Sequence, residues 1–163
     1  MLVPPRFRQL RALCVGLAVL LAGCAGEEPG AGRTTATVTK VTDGDTLRLS
    51  GLGSTRLIGI DTPEVYGRDE CFGKQATAFA ERVVPAGTKV SYRLGVETRD
   101  RYGRALAYVY LRDGRLFNEL LAARGYAQPL TIPPNDEFAE RFVAAARRAR
   151  ARDVGLWAPG ACR

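Results

Sequence analysis

The sequence predicts a mainly β fold with α (α+β): one domain, built as a small five-stranded barrel with three helices packed outside it. Two observations carry this reading. Segment 34–60 is rich in β-branched and alternating residues broken by Gly-containing turns, and after Gly73 the apolar spacing switches to a helical period. Two more strand-like runs and two more helical runs follow, with no internal repeat and no second linker. A chain of 163 residues fits one domain, and an apolar share of 46% is ordinary for a globular core. A charged share of 25% argues against wholesale disorder.

Val38–Val41, Thr46–Leu49 and Arg56–Ile60 read as three consecutive antiparallel strands, and Asp61–Phe72 as a loop. Ala76, Phe79, Ala80, Val83 and Val84 fall on one face of a helix, stopped by Pro85 and Gly87. Lys89–Leu94 and Ala105–Leu111 are the next strands, the second ending at an Asp113-Gly114 turn. A short helix turns Phe117, Leu120 and Leu121 inward, with Gly125 past its end. The last helix is predicted to start near Asn135 or Asp136 and to bury Phe138, Phe142, Ala145 and Ala149. Its other face carries Arg141, Arg147, Arg148, Arg150 and Arg152. That face reads more readily as a solvated surface than as a DNA-binding one, because only Lys40, Lys74 and Lys89 among the 24 basic residues are not Arg.

Arg6, Arg8 and Arg11 precede an apolar run, Leu13–Leu21, that is too short to span a bilayer but suits an export signal. Leu21-Ala22-Gly23-Cys24 looks like the lipobox of bacterial lipoproteins; an ordinary secretory signal is the alternative. The expected division is a lipoprotein signal peptide over 1–23, a flexible tether over 24–33 and a folded domain over 34–163. Cys24 would carry lipid and hold the protein at the outer side of the membrane. Cleavage leaves 140 residues and lowers the formal charge from +7 to +4, compatible with polyanion binding without requiring it. Cys14 leaves with the signal, so Cys71 and Cys162 remain. In an oxidising compartment they are expected to form a disulfide, two free thiols being the alternative.

The chain has no histidine. That excludes a Ser-His-Asp triad, His-ligated zinc and an imidazole base, so a metal site must be built mainly from oxygen. Three stretches concentrate ionisable groups at strand ends: Asp43-Gly44-Asp45-Thr46, Arg56 with Asp61-Thr62-Pro63-Glu64, and Asp100-Arg101-Tyr102-Gly103-Arg104. Each alone is weak, since Asp-Gly is a common hairpin turn and Thr-Pro a common loop.

In combination and in this order they resemble the staphylococcal (micrococcal) nuclease, or thermonuclease, family. Arg-Leu-Ile-Gly-Ile-Asp-Thr-Pro-Glu, Asn118-Glu119, Pro134-Asn135 and Gly155-Leu156-Trp157 extend the resemblance over about Val38 to Trp157. It implies an oligonucleotide-binding (OB) Greek-key barrel and calcium-dependent, weakly sequence-specific endonuclease hydrolysis of DNA and RNA that leaves 3′-phosphate ends. By the same resemblance the metal ligands fall on Asp45, Asp61 and the Thr62 carbonyl, with Asp43 a secondary acid nearby. The catalytic residues fall on Arg56, Glu64 and Arg104, and substrate contacts on Arg101 and Tyr102. DNA and RNA are the expected substrates, the membrane is met through the lipid, and a monomer with no obligate protein partner is expected. The sequence departs from the archetype where two substrate-contacting tyrosines are replaced by Leu130 and Ile132. Aromatic stacking is worth about 1–3 kcal/mol per base, so nucleotide affinity or base preference is expected to differ. The loop between Glu64 and Phe72 is also shorter, and a Cys71–Cys162 bond is expected to stiffen it.

The residue types are coherent without the family. Two carboxylates and a carbonyl leave several positions of a calcium ion open for water and a phosphate oxygen, so a Kd on the order of 10⁻⁴–10⁻³ M is expected. Two guanidiniums can grip a phosphodiester whose charge grows on attack, and Glu64 is placed to handle the attacking water. Three other readings compete: a non-hydrolytic binding module, a structural envelope lipoprotein stabilised by calcium, and a purely structural salt-bridge network of Glu64, Arg56 and Arg104.

Overall fold

A computed structural model describes residues 32–65 and 70–162. The expected signal peptide, Cys24 and the tether up to residue 31 lie outside the described residues. The elements are β1 (Thr34–Val41), β2 (Thr46–Leu49), β3 (Gly53–Leu57), β4 (Gly59–Asp61), α1 (Gly73–Val83), β5 (Lys89–Arg99), β6 (Ala105–Tyr110), α2 (Phe117–Ala123), β7 (Gln128–Leu130) and α3 (Ala139–Arg150), with a 3-10 turn at Gly155–Trp157.

Five of the strands close a barrel in the order β1-β2-β3-β6-β5, with β1 and β5 pairing antiparallel to seal it. β3 and β6 pair in parallel, so α1 and β5 lie on the long crossover between them. This is the α+β barrel with three helices that the sequence predicts. Alternation places Ala36 and Val38, Leu47 and Leu49, and Thr55 and Leu57 inside, as a strand with one buried face requires. Phe117, Leu121, Phe142, Ala145 and Ala149 of α2 and α3 are fully buried against one another and the barrel.

The structure moves several element boundaries, β1 beginning at Thr34 and β3 at Gly53, ahead of the expected Val38 and Arg56. Arg56–Ile60 is not one strand: it breaks at Ile58, and β4 leaves the barrel to pair with β7, a strand the sequence reading lacks. Gly59 makes the break, with φ +83°, and a Cβ there would lie 2.2 Å from Cε2 of Phe142. Only glycine both adopts this backbone and admits the α3 ring. β5 runs on to Arg99 instead of ending at Leu94. α3 starts at Ala139, because Asn135 is engaged elsewhere: its Oδ1 accepts from Glu97 N (3.0 Å) and its Nδ2 donates to Glu97 O (2.9 Å). The structure also joins Cys71 to Cys162, their Cα atoms 5.6 Å apart, which ties the C-terminal end to the segment entering α1.

Asn118 joins the first turn of α2 to two strand edges. It is fully buried; its Oδ1 accepts from Val109 N (3.0 Å), and its Nδ2 donates to the carbonyls of Ile58 (2.9 Å) and Ala107 (3.2 Å). Removing it orphans buried backbone groups, so Asn118→Ala is expected to cost about 2–4 kcal/mol of stability. Urea unfolding of the two proteins measures this.

Candidate active site

Strand register brings the charged groups together. Arg56 in β3 is the partner of Thr46 in β2 on one side and of Leu106 in β6 on the other. Asp45, immediately before β2, and Arg104, immediately before β6, therefore flank it. The turn at Gly59 then carries the chain back, so that Asp61 at the end of β4 returns to the same guanidinium.

Arg56 is held on four sides. Its Nη1 lies 3.1 Å from Asp45 Oδ2 and donates to the carbonyls of Leu57 (2.7 Å) and Ile60 (2.9 Å), while its Nη2 donates to Asp61 Oδ1 (2.7 Å). Asp45 is buried and well supplied with donors. Its Oδ2 accepts from Thr62 N (2.8 Å) and Thr62 Oγ1 (3.0 Å), and its Oδ1 from Thr46 Oγ1 (3.2 Å). Asp43 Oδ1 accepts from Asp45 N (3.1 Å). Between the two acids, a Cβ at Gly44 would lie 2.8 Å from Thr62 Oγ1 and 2.9 Å from Ala76 Cβ. The Asp-Gly-Asp segment is thus packed under Thr62 and α1, which a simple hairpin turn would not need.

Two further acids position the remaining candidates. Glu70 brackets the backbone of Glu64: its Oε2 accepts from Glu64 N (3.1 Å) and its N donates to Glu64 O (3.0 Å). Asp100 holds Arg104, its Oδ2 accepting from Arg104 Nε (2.7 Å) and its Oδ1 from Arg104 N (2.9 Å) and Tyr102 N (3.0 Å). Among the described residues no carboxylate pairs with the Nη groups of Arg104. Tyr102 is 68% exposed, its Oη accepts from Arg101 Nη2 (2.6 Å), and the Arg104 guanidinium lies 5.6 Å from its ring.

Arg56, Asp61, Glu64 and Arg104 line one cleft of about 570 Å³. Arg101 and Tyr102 line it as well, and Leu130 and Ile132, 40% and 61% exposed, supply apolar wall. Asp45 stands behind Arg56, and Thr62 beneath it is buried. The sequence reading omits Glu70 and quotes Asp100 only as part of a motif. Asp100 was within reach, because an Asp four residues before an Arg across a Gly turn is a side-chain clamp in waiting. Glu70 gave no such signal; its role depends on how the loop closes.

The electrostatics are those of an acidic cluster short of positive charge. Burial pushes the Asp43 carboxyl up to about 6, with the Asp45 charge adding to the effect. Burial likewise raises Asp61, against the Arg56 cation and with the Asp45 anion, and raises Glu64, with Asp45 and Asp61 adding. Against the upward push of burial, the Arg104 hydrogen bonds hold Asp100 below the usual carboxylate range. Such a surplus of hard oxygen anions around one guanidinium fits a hard divalent cation. Among the described residues no three His, Cys, Asp or Glu side chains form a cage by themselves. Asp45 and Asp61 would need completion by a carbonyl, for which Thr62, next to Asp61 in the chain and hydrogen-bonded to Asp45, is placed, and by water or substrate.

Residues 54–159, a span that includes Arg56, Asp61, Glu64 and Arg104, match the family described as Staphylococcal nuclease homologue. The chain is 35% identical over 126 residues to the Thermonuclease of Staphylococcus intermedius, covering 74% of each protein. The chain belongs to the staphylococcal nuclease family. The Thermonuclease of Staphylococcus hyicus is 36% identical over 126 residues, covering 74% of this chain and 73% of that protein. Endonuclease YhcR of Bacillus subtilis is 36% identical over 134 residues, but the match covers 11% of that protein. The chain thus spans about a tenth of this Bacillus family member and about three-quarters of the thermonucleases.

With no histidine in the chain, Asp43, raised to about 6, is the carboxyl of this cluster that titrates between pH 5 and 7. Its folded-state pKa lies above the unfolded one, so the folded state binds more protons in that window and stability falls as pH rises through it. The metal-free protein is expected to melt a few degrees higher at pH 5 than at pH 7, and Asp43→Asn to flatten the difference. Thermal melts in chelator across this range are the check.

Proposed function

We propose that this protein is a calcium-dependent endonuclease that hydrolyses DNA and RNA with little sequence specificity and leaves 3′-phosphate ends. The supporting observation is that two guanidiniums, a carboxylate of the acidic cluster and a glutamate share one cleft at the barrel rim. Membership of the staphylococcal nuclease family and the likeness to two thermonucleases point the same way.

In this reading Asp45, Asp61 and the Thr62 carbonyl hold the cation. When bound there, calcium would neutralise phosphate charge and polarise a water. Arg104, oriented by Asp100 through Nε, offers its free Nη groups to a phosphate oxygen, and the grip is strongest once negative charge has grown in the transition state. Arg56 sets the spacing of the two metal-binding carboxylates and contributes positive charge beside the phosphate. Glu64, its backbone fixed by Glu70, accepts a hydrogen bond from the attacking water and takes or orders its proton. Tyr102 and Arg101 contact a flanking phosphate. Leu130 and Ile132 meet the base or sugar by aliphatic contact, so base preference is weaker than stacking would give.

The export signal and lipobox place the domain, in this proposal, outside the cytoplasm on a lipid carried by Cys24, as a monomer. There the Cys71–Cys162 pair stays oxidised. Intact-mass analysis of the unreduced protein with thiol alkylation is expected to label neither cysteine until reductant is added.

The decisive assay is release of acid-soluble nucleotides from DNA by the mature domain. Activity is expected with calcium and lost in chelator. Glu64→Gln is expected to lower the rate by roughly 10²–10⁴ while the circular dichroism spectrum and Tm stay close to those of the parent. Equal rates in chelator, or an unchanged Glu64→Gln rate, would reject the mechanism.

A further inference from the structure

A second cleft, of about 690 Å³, is lined by Phe79, Arg82, Arg124, Tyr126 and Arg152, with Val154 beside them. Its three guanidiniums come from three elements: Arg82 from the last turn of α1, Arg124 from the end of α2, and Arg152 from just beyond α3. Among the described residues no acid lines the cleft and no carboxylate pairs with any of the three. Arg152 Nη2 donates to Ala123 O (3.2 Å), which points this side chain back toward Arg124. Phe79 and Tyr126 stack with centroids 4.3 Å apart, and the Arg82 guanidinium lies 5.7 Å from the Phe79 ring.

We infer that this cleft is a second nucleic-acid contact that holds the phosphate backbone of a substrate strand flanking the scissile bond. The inference rests on the reading of the chain as a nuclease. Three arginines without anionic partners leave unbalanced positive charge, which suits a phosphate backbone; Phe79 is buried and stacks on Tyr126, so the pair forms the floor of the cleft. The cleft's concavity suits a strand better than a flat membrane surface.

Its place in the fold connects it to the first cleft. α1 begins at Gly73, where a Cβ would lie 2.7 Å from Glu64 O, and ends beside Arg82. At 1.5 Å per residue the helix puts Arg82 about 14 Å along its axis from Glu64. A few nucleotides of one strand span that distance. Two arginines of the α3 face are engaged elsewhere: Arg141 pairs with Glu119 and Arg150 lies 5.3 Å from the Trp157 ring.

The test compares the parent domain with the triple variant R82A/R124A/R152A and with the charge-keeping R82K/R124K/R152K. A labelled dT 20-mer is titrated in chelator across 50–200 mM salt, and hydrolysis of a dinucleotide is followed with calcium. The Ala variant is expected to bind the 20-mer about tenfold more weakly, with a salt slope reduced by up to about 2, and to cleave the dinucleotide at the parent rate. The Lys variant is expected to keep the parent slope, which separates lost charge from lost fold. An unchanged affinity and slope in the Ala variant overturns the assignment. So does loss of binding to phosphatidylserine vesicles with 20-mer affinity intact, which assigns the cleft to a membrane surface instead. If the parent cleaves neither substrate while the Ala variant still loses 20-mer binding, the cleft stands and the nuclease reading falls.

Discussion

Arg56 is the interaction on which both the fold near the site and the site itself depend. One nitrogen spans the break between β3 and β4 by donating to the carbonyls of Leu57 and Ile60. The same guanidinium reaches the buried Asp45 and the half-exposed Asp61. Taking it away would leave Asp45 buried without its counter-charge, a change that typically costs 3–5 kcal/mol. It would also free the Gly59 turn, which positions β4. Barrel geometry and acid spacing are therefore one constraint: the residue that neutralises the cluster also fixes how far apart its carboxylates stand.

The rest of the site divides between groups set by strand register and groups carried on loops. Arg56 and the flanking Asp45 and Arg104 are set by strand pairing, and their relative positions change only if a strand slips, which would turn every buried side chain outward. Glu64 has no strand under it and relies on the bracket from Glu70. The apolar wall belongs to the rigid part. Leu130 pairs with Gly59 in the β4–β7 ladder, so the kink that admits Phe142 also sets the wall opposite the charges.

Much of this was legible from the residues. Alternation located the barrel strands, helical spacing located α1 and α2, and the charged stretches at strand ends contained Arg56, Asp61, Glu64, Asp100, Arg101 and Arg104 of the cleft, though not Glu97. The convergence itself was not legible, because it is a property of register: nothing local says that Arg56 lies between Thr46 and Leu106. The Arg56–Ile60 run looked like one strand because its β-branched and apolar residues favour extension. The competing demand came from Phe142, more than eighty positions later. Asn135 looked like a helix start, as a capping residue before an apolar pattern should, yet its amide is taken by the Glu97 backbone across the fold. β7 was missed because three residues containing Pro129 carry almost no strand signal.

The segment between Glu64 and α1 shows how a short loop can hold a reactive side chain without a sheet beneath it. Glu70 accepts from Glu64 N, donates to Glu64 O, and passes its own carbonyl to Gly73 N (3.1 Å), so the backbone of Glu64 is bonded into the start of the helix. Cys71 lies inside this chain of contacts, and its bond to Cys162 fastens the Glu70–Gly73 stretch to the segment after the 3-10 turn. A cross-link over 91 positions acts on the unfolded chain's entropy wherever it is placed. Placed here, it also anchors the residue next to Glu70. Stability and the placing of the proposed water-handling group thus draw on one bond.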